Sequence, residues 1–477
     1  MFDQIKKLSG QTAIYGTGHI LARLVTFLLL PLYTNIFTAE EYGVISLAYV
    51  FMGFMGVVLH YGLDVALMKQ YVQTKSEERT AFFSSAYVSL VLTSLLFAIV
   101  VSLNQNALAP IILDSDYPRL IVLIAWILFC DVLWSVPQLI LRAEEKPTKY
   151  IALSLINVIA TMALNLVFVL VLKMGIEGVL LSNLIVSGSL LIISLPIVLK
   201  RFSVKHVSGK YWRRLMTFGF PFLPAGIFSM LMEIADRYLL KWLTNMETVG
   251  LYSAGYKIGM LMMLAVMGFN MGWQPFFLKA GADQKIVFAR ITTYVLAILG
   301  FLWLLLYIWV EDIVRINIGG ISFYGEAFWA STAIVPVIAL GYWFHGVYIL
   351  QVPGMYLQEK SKNLMAVRAM GAFTNIVLNF ILIPEYGAMG AAWATCASFA
   401  AMAFLIFFMN LQSFPMDYEW GRIIRVIMSI MFVFAMSYTM IDTWVNKLIL
   451  SIAFPVILYF TGFMTVGEQR RLQRYFK

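Results

Sequence analysis

Apolar residues fill this chain in blocks of about twenty or more, separated by short polar stretches from one end to the other. At 1.5 Å per residue, about 20 apolar residues in a helix cross ~30 Å of hydrocarbon. The pattern predicts such helices over about 11–36, 43–68, 81–103, 118–141, 150–172, 176–199, 215–241, 248–273, 286–310, 327–356, 364–383, 387–410, 421–441 and 446–465, fourteen in all. The blocks are continuous and do not alternate at strand length, which favours helices over a barrel. The first begins near Gln11, after Lys6 and Lys7, and runs to about Asn35. It is too long for a signal-peptide core and lacks a small-residue cleavage pattern, so it reads as a retained helix.

Composition strengthens this picture. Hydrophobic residues make up 61% of the chain and charged residues only 12%, against roughly 25% charged in soluble domains. The expected fold is therefore an all-α integral membrane protein. Most of the 34 Lys and Arg residues fall in alternate connecting segments. If both termini are cytoplasmic, the outer segments keep only Arg119, Lys173, Lys241, Arg315 and Lys447, as the positive-inside rule requires. The net charge of +9 is then topological and calls for no nucleic-acid partner. Cys130 and Cys396 lie within spans and suggest neither a disulfide nor a thiolate site. His19, His60, His206 and His345 are scattered, so no metal site is expected.

The chain also repeats itself. "EYGVISLA" from Glu41 resembles "TVGLYSAG" from Thr248, and "EEKPTKYIALSLINVIATMALNLVF" from Glu144 resembles "QEKSKNLMAVRAMGAFTNIVLNFIL" from Gln358. Lys146 falls on Lys360, Asn165 on Asn379, and the turn at Gly175 on that at Gly387. Each unit holds six helices, an even number, so both enter the membrane in the same sense. The expected organisation is an N-lobe over 1–200, a basic linker over 201–214, a C-lobe over 215–412, and two further helices with a basic tail over 413–477. Parallel repeats of this kind place a transport site between the lobes.

Polar stripes mark the chemistry, because such side chains avoid lipid and face a bundle interior or cavity. The first span carries Tyr15, His19, Arg23 and Thr26, and the fourth Asp131, Ser135, Gln138 and Arg142. The fifth carries Tyr150, Ser154, Asn157, Thr161 and Asn165, and the eleventh Arg368, Asn375 and Asn379. Most steps are three, four or seven residues, which puts each set on one face. Arg23 and Asp131 sit near mid-span, where a charge costs about 2.5–3.5 kcal/mol on insertion scales. They can pair with each other, or Arg23 can face a cavity. At the repeat offset Asp131 falls on His345, a pair suited to proton coupling. In the seventh span Glu233 and Arg237 are four apart and can pair; Asp236 has Lys257 as its nearest candidate partner. The cluster reads either as an ion pair fixing helix depth or as the lining of an outer mouth.

The motifs "TAEEYGVISLA", "YGLDVALMKQY", "LRAEEK", "FGFPFLPAG", "DRYLL" and "VGLYSAGYKIG", in this order over about residues 10–465, resemble the polysaccharide flippases. These are the O-antigen and capsule-repeat exporters of the multidrug/oligosaccharidyl-lipid/polysaccharide exporter superfamily. The resemblance implies two six-helix lobes in the bacterial inner membrane that rock to move an undecaprenyl-diphosphate-linked oligosaccharide between leaflets. It implies no cofactor beyond a coupled H+ or Na+, and a polymerase and chain-length regulator of the polysaccharide pathway as partners. In the related lipid II flippases, cations of the first and eighth helices face the cavity; Arg23 and Lys257 occupy those helices here, although this first helix is not rich in arginine. One rival reading is a cation-coupled drug exporter, for which Asp64, Asp131, Glu233 and Asp236 are the available carboxylates. Another is a membrane polysaccharide polymerase, which the short outer segments about 104–117 and 311–326 disfavour. A GxxxxGK[ST] phosphate loop is absent.

Overall fold

The computed structural model describes residues 27, 29–74, 76–114, 117–358, 360–440, 443–464 and 468, and divides the chain into two compact units, Met1–Ser253 and Ala254–Lys477. His19 and Arg23 lie outside the described residues. In the first unit the helices are α1 (Leu30–Ile36), α2 (Ala39–His60), α3 (Leu63–Gln73), α4 (Ser76–Leu103), α5 (Gln105–Leu113), α6 (Pro118–Ala143), α7 (Pro147–Asn165), α8 (Gly175–Leu199), α9 (Gly209–Gly219), α10 (Phe222–Leu243) and the start of α11 (Met246–Gly259). In the second they are α12 (Leu261–Ala280), α13 (Lys285–Arg315), α14 (Val335–Tyr356), α15 (Ser361–Ser413), α16 (Trp420–Met440) and α17 (Trp444–Phe460). A two-stranded hairpin, Asn317–Ile318 with Ile321–Ser322, follows α13.

The chain is thus almost wholly helical, as its apolar blocks require. Among the described residues, ten helical stretches are long and apolar enough to cross a membrane. One of them, Lys362–Ser413, turns sharply at Gly387 and covers two of the expected spans. The shorter α17 is also apolar, whereas α10 carries Glu233, Asp236, Arg237 and Lys241 in its 22 residues.

Three of the differences from the hydropathy reading have a plain local reason. Helix α2 starts four residues early because Thr38 forms a capping box, accepting from the Glu41 N–H at 3.2 Å while Glu41 accepts from the Thr38 N–H at 2.9 Å. The expected span 43–68 breaks at Tyr61 and Gly62, where φ is +33° and +78°. A Cβ on Gly62 would sit 1.9 Å from the Gly219 carbonyl oxygen, so only glycine lets the two backbones meet here. The basic linker is not wholly a loop: Ser208 accepts from the Lys210 N–H and starts α9, which buries Leu215 and carries Lys210, Arg213 and Arg214.

The first unit packs α6 against α4 and α8, with α2 lying against both α6 and α10. One apolar cluster joins Trp134 and Leu141 of α6, Tyr150 and Leu153 of α7, and Val186 and Leu190 of α8. In the second unit α14 packs between α13 and α15, and α16 packs on α13 and α17.

The internal repeat is visible in the backbone. Lys146 and Lys360 each precede the first turn of a helix, Asn165 and Asn379 are both fully buried, and Gly175 and Gly387 both have positive φ, +60° and +53°. The shorter motif copies meet each other. A Cβ on Gly43 would lie 2.4 Å from the Met246 carbonyl oxygen, one on Gly250 would lie 1.8 Å from that of Ala39, and the Ser46 hydroxyl donates to Ser253 at 2.6 Å. Equivalent glycines and equivalent serines of the two copies therefore cross at one point, the close approach that small residues allow between membrane helices.

Candidate functional site

The break between α2 and α3 opens a cavity of about 690 Å³ in the first unit, within the usual range for ligand pockets. Its polar wall consists of His60 at the end of α2, Asp64 in the first turn of α3, Ser135, Gln138 and Arg142 along α6, and Tyr150 of α7. Phe222, Leu223 and Gly226 of α10 form an apolar side. The spacing of Ser135, Gln138 and Arg142 places all three on one helix face, as the sequence predicts.

Hydrogen bonds fix part of this wall. The His60 ring contacts the Gly56 carbonyl oxygen through Nδ1 at 2.6 Å and the Ser135 hydroxyl through Nε2 at 2.8 Å. Ser135 itself donates to the Val132 carbonyl at 2.8 Å. Gln138 Nε2 donates to the Ser154 hydroxyl at 3.4 Å. Arg142 and Asp64 are both exposed and form no ion pair among the described residues. Asp64 is favoured by the α3 N-terminus, where amide dipoles stabilise a negative charge.

The remaining residues singled out in the sequence lie elsewhere. Asp131 is not part of this wall and accepts from Trp134 Nε1 at 2.8 Å. Thr161 donates to Asn157 at 3.4 Å, and the buried Asn165 accepts from Tyr33 at 2.8 Å while donating to the Thr161 carbonyl. Asn379 donates to Asn375 at 3.0 Å, and Asn375 to Thr395 at 3.5 Å, all three buried. Asn165, Asn375 and Asn379 thus occupy sealed helix contacts, whereas Asn157 is half-buried. Arg368 is exposed and donates to the Tyr348 hydroxyl at 3.5 Å. His345 lies against the rings of Tyr348 and Phe399, with centroids 5.8 and 5.0 Å away.

The charges of α10 resolve into a buried group. Asp236 pairs with its neighbour Arg237 at 3.3 Å and accepts a short hydrogen bond from Tyr252; these are its described partners, in place of the expected Lys257. The Glu233 side chain lies outside the described parts, and Lys257 is half-buried on α11. Lys241, one turn beyond Arg237, donates to the carbonyls of Pro110 and Ile111 at 3.2 and 2.8 Å, holding the last turn of α5. A lysine suits that place, since helix carbonyl ends favour cations.

His60 was not among the residues that the stripes singled out, because an unbroken span 43–68 leaves it on an ordinary helix face. The dipeptide Tyr61–Gly62 inside "YGLDVALMKQY" is the signal that could have located the break.

Comparison with solved structures shows the same fold in transport proteins. The lipid II flippase MurJ, in an inward closed conformation, matches with a TM-score of 0.77 at 15% identity, covering 94% of this chain and 99% of that one. A mutant of the Vibrio cholerae MATE transporter VcmN matches at 0.58 and 15% identity, covering 85% and 96%. An inward-facing multidrug resistance MATE family transporter of the MOP superfamily matches at 0.62 and 12% identity, covering 82% and 97%. No curated protein sequence matches the chain. The family model described as "Polysaccharide biosynthesis protein" matches residues 9–281. A multi-pass helical membrane protein with a transporter fold, more than half of it inside that match, this chain belongs to the polysaccharide biosynthesis protein family.

Proposed function

We propose that this protein moves an undecaprenyl-diphosphate-linked oligosaccharide repeat unit from the inner to the outer leaflet of the bacterial cytoplasmic membrane. Two six-helix lobes alternate access to the substrate, with both termini in the cytoplasm. The observation that carries this reading is the cavity in which Arg142, without an ion-pair partner among the described residues, stands beside the hydroxyl and amide groups of Ser135, Gln138 and Tyr150. A diphosphate suits the guanidinium, which offers paired donors to phosphate oxygens. Sugar hydroxyls suit the neutral polar groups, and the polyprenyl tail can remain in lipid. Arg23, Lys257 and Arg368 are the further cations assigned to the substrate path. Family membership supports a polysaccharide precursor as cargo, and an O-antigen or capsule unit is the expected one.

Asp64 in the same wall favours a second reading, a cation-coupled drug exporter, since a carboxylate can neutralise a cationic drug. Deleting the gene in its host separates the two. A flippase leaves lipid-linked oligosaccharide on the inner leaflet and removes surface polysaccharide. Normal surface glycan with altered drug tolerance would establish the exporter instead.

A further inference from the structure

We propose that an anionic phospholipid, from the leaflet that the basic linker faces, docks where α9 packs on α4. Its phosphate meets the cations of α9, and one acyl chain lies in the groove between the two helices. This is a resident lipid, and its site stands apart from the cargo assigned above.

The sequence gives α9 two chemistries. Trp212, Met216 and Phe220 recur every four residues and form one apolar flank. Lys210, Arg213 and Arg214 are exposed and turn away from the buried Leu215. Arg213 precedes Phe220 by two turns and shares its face. No acidic residue occurs between Glu177 and Glu233, a stretch that holds Lys200, Arg201, Lys205, Lys210, Arg213 and Arg214. Glu144 holds Arg201 at 2.7 Å. The other cations are exposed and form no ion pair among the described residues. Basic segments beside a membrane attract the anionic lipids of the leaflet they face. A helix with Trp on one flank and Lys and Arg on the other suits that interface.

A groove lies at the matching place. Between α9 and α4 is an open space of about 600 Å³, with Trp212, Met216 and Phe220 on one side and Tyr61, Ser89 and Thr93 on the other. Trp212 Nε1 donates to the Ser89 hydroxyl at 2.9 Å, and the Tyr61 hydroxyl meets the same oxygen at 2.7 Å. The polar atoms of the floor are therefore already paired, and hydrocarbon is what they leave for an occupant. Trp212 and Phe220 are exposed, and past Thr93 the same face of α4 carries the exposed Leu96 and Val100. Ser89 lies about 21 Å from the far end of α4 at Leu103, at 1.5 Å per residue. That places the groove in the near half of a ~30 Å hydrocarbon layer, where the long side chains of Lys210 and Arg213 can reach back to the headgroups. A peptide would bring unpaired amides to this wall, and a zwitterionic lipid would leave the cations without a net counter-charge.

Two measurements on the full-length protein test the site. In detergent, thermal unfolding is followed while phosphatidylglycerol or phosphatidylcholine is titrated into wild type and the double variant Lys210→Gln/Arg213→Gln. Phosphatidylglycerol should raise the wild-type unfolding temperature. The variant should need on the order of tenfold more of it for the same rise, given what each surface cation contributes to anionic-lipid binding. Phosphatidylcholine should do little to either protein. An equal phosphatidylglycerol requirement in the two proteins overturns the proposal, as does an equal response to phosphatidylcholine. In native membranes, benzoylphenylalanine replaces Phe220 and is photolysed, and its adducts are identified by mass. The same probe in place of Ile192, which is exposed on α8, gives the composition of the surrounding lipid. Phosphatidylglycerol adducts should be enriched several-fold at position 220 over that reference, and equal compositions overturn the groove as a lipid site. Polyprenyl adducts would assign the groove to the tail of the cargo, and protein adducts to a partner chain; either result displaces the resident phospholipid. Should the double variant fail to fold, the adduct ratio decides alone.

Discussion

Glu144 stands just past α6 as the acceptor for three elements. Tyr71 of α3 and Arg201 beyond α8 each donate to it at 2.7 Å, and Lys146 donates at 2.6 Å. Partial burial pushes its carboxyl up, but the bonds from Lys146, Tyr71 and Arg201 outweigh this and hold it down at about 2. The unfolded carboxyl titrates near 4.3. Because the folded value is the lower one, the network stabilises the protein fully above about pH 4.5 and loses that contribution as pH falls toward 2. Thermal unfolding of detergent-solubilised protein should therefore show wild type losing more stability than Glu144→Gln across this interval, while the variant is the less stable at pH 7. The motif "LRAEEK" held this anchor in the sequence, but nothing there showed that Arg201, 57 residues on, closes it.

At the scale of elements, the break between α2 and α3 governs the site, since it turns His60 and Asp64 into one cavity. Gly62 makes the break possible. A left-handed backbone costs an L-residue roughly 1–2 kcal/mol, and a Cβ here would also strike the Gly219 carbonyl. Gly62→Ala should lower the unfolding temperature by several degrees, whereas Gly188→Ala, with open space around its Cβ position, should leave it unchanged or slightly raised. Equal effects of the two would show that the close approach at Gly62 contributes nothing. Element positions were largely legible, because a membrane span is set by length and apolarity alone. The break, α9 and α5 were not, since each depends on a cap, a backbone contact or a lysine supplied from another part of the chain.

At the scale of the whole molecule, the proposed alternating access can be tested at the crossing of the repeated motifs, Gly43–Gly250 and Ser46–Ser253. Cysteines at Ser46 and Ser253, in a background without Cys130 and Cys396, should cross-link under mild oxidation, because the hydroxyl oxygens lie 2.6 Å apart. Export of lipid-linked oligosaccharide in cells should stop on cross-linking and return with reductant. Unimpaired export by fully cross-linked protein would remove this contact from the transport cycle. The sequence by itself determined the class of molecule: a helical membrane protein with an internal repeat and with most of its cations in alternate connecting segments. Apolar length, charge sorting and self-similarity are properties of the chain that no folding step can alter. The tertiary structure decided which polar groups share a cavity. Asn165, Asn375 and Asn379 look like a cavity lining on a helical wheel but are sealed against Tyr33, Thr395 and each other. His60, unremarked on its wheel, joins Arg142 and Asp64 in the wall. A helical period fixes the face on which a side chain lies; only the packing of neighbouring helices fixes whether that face meets a partner or a hollow.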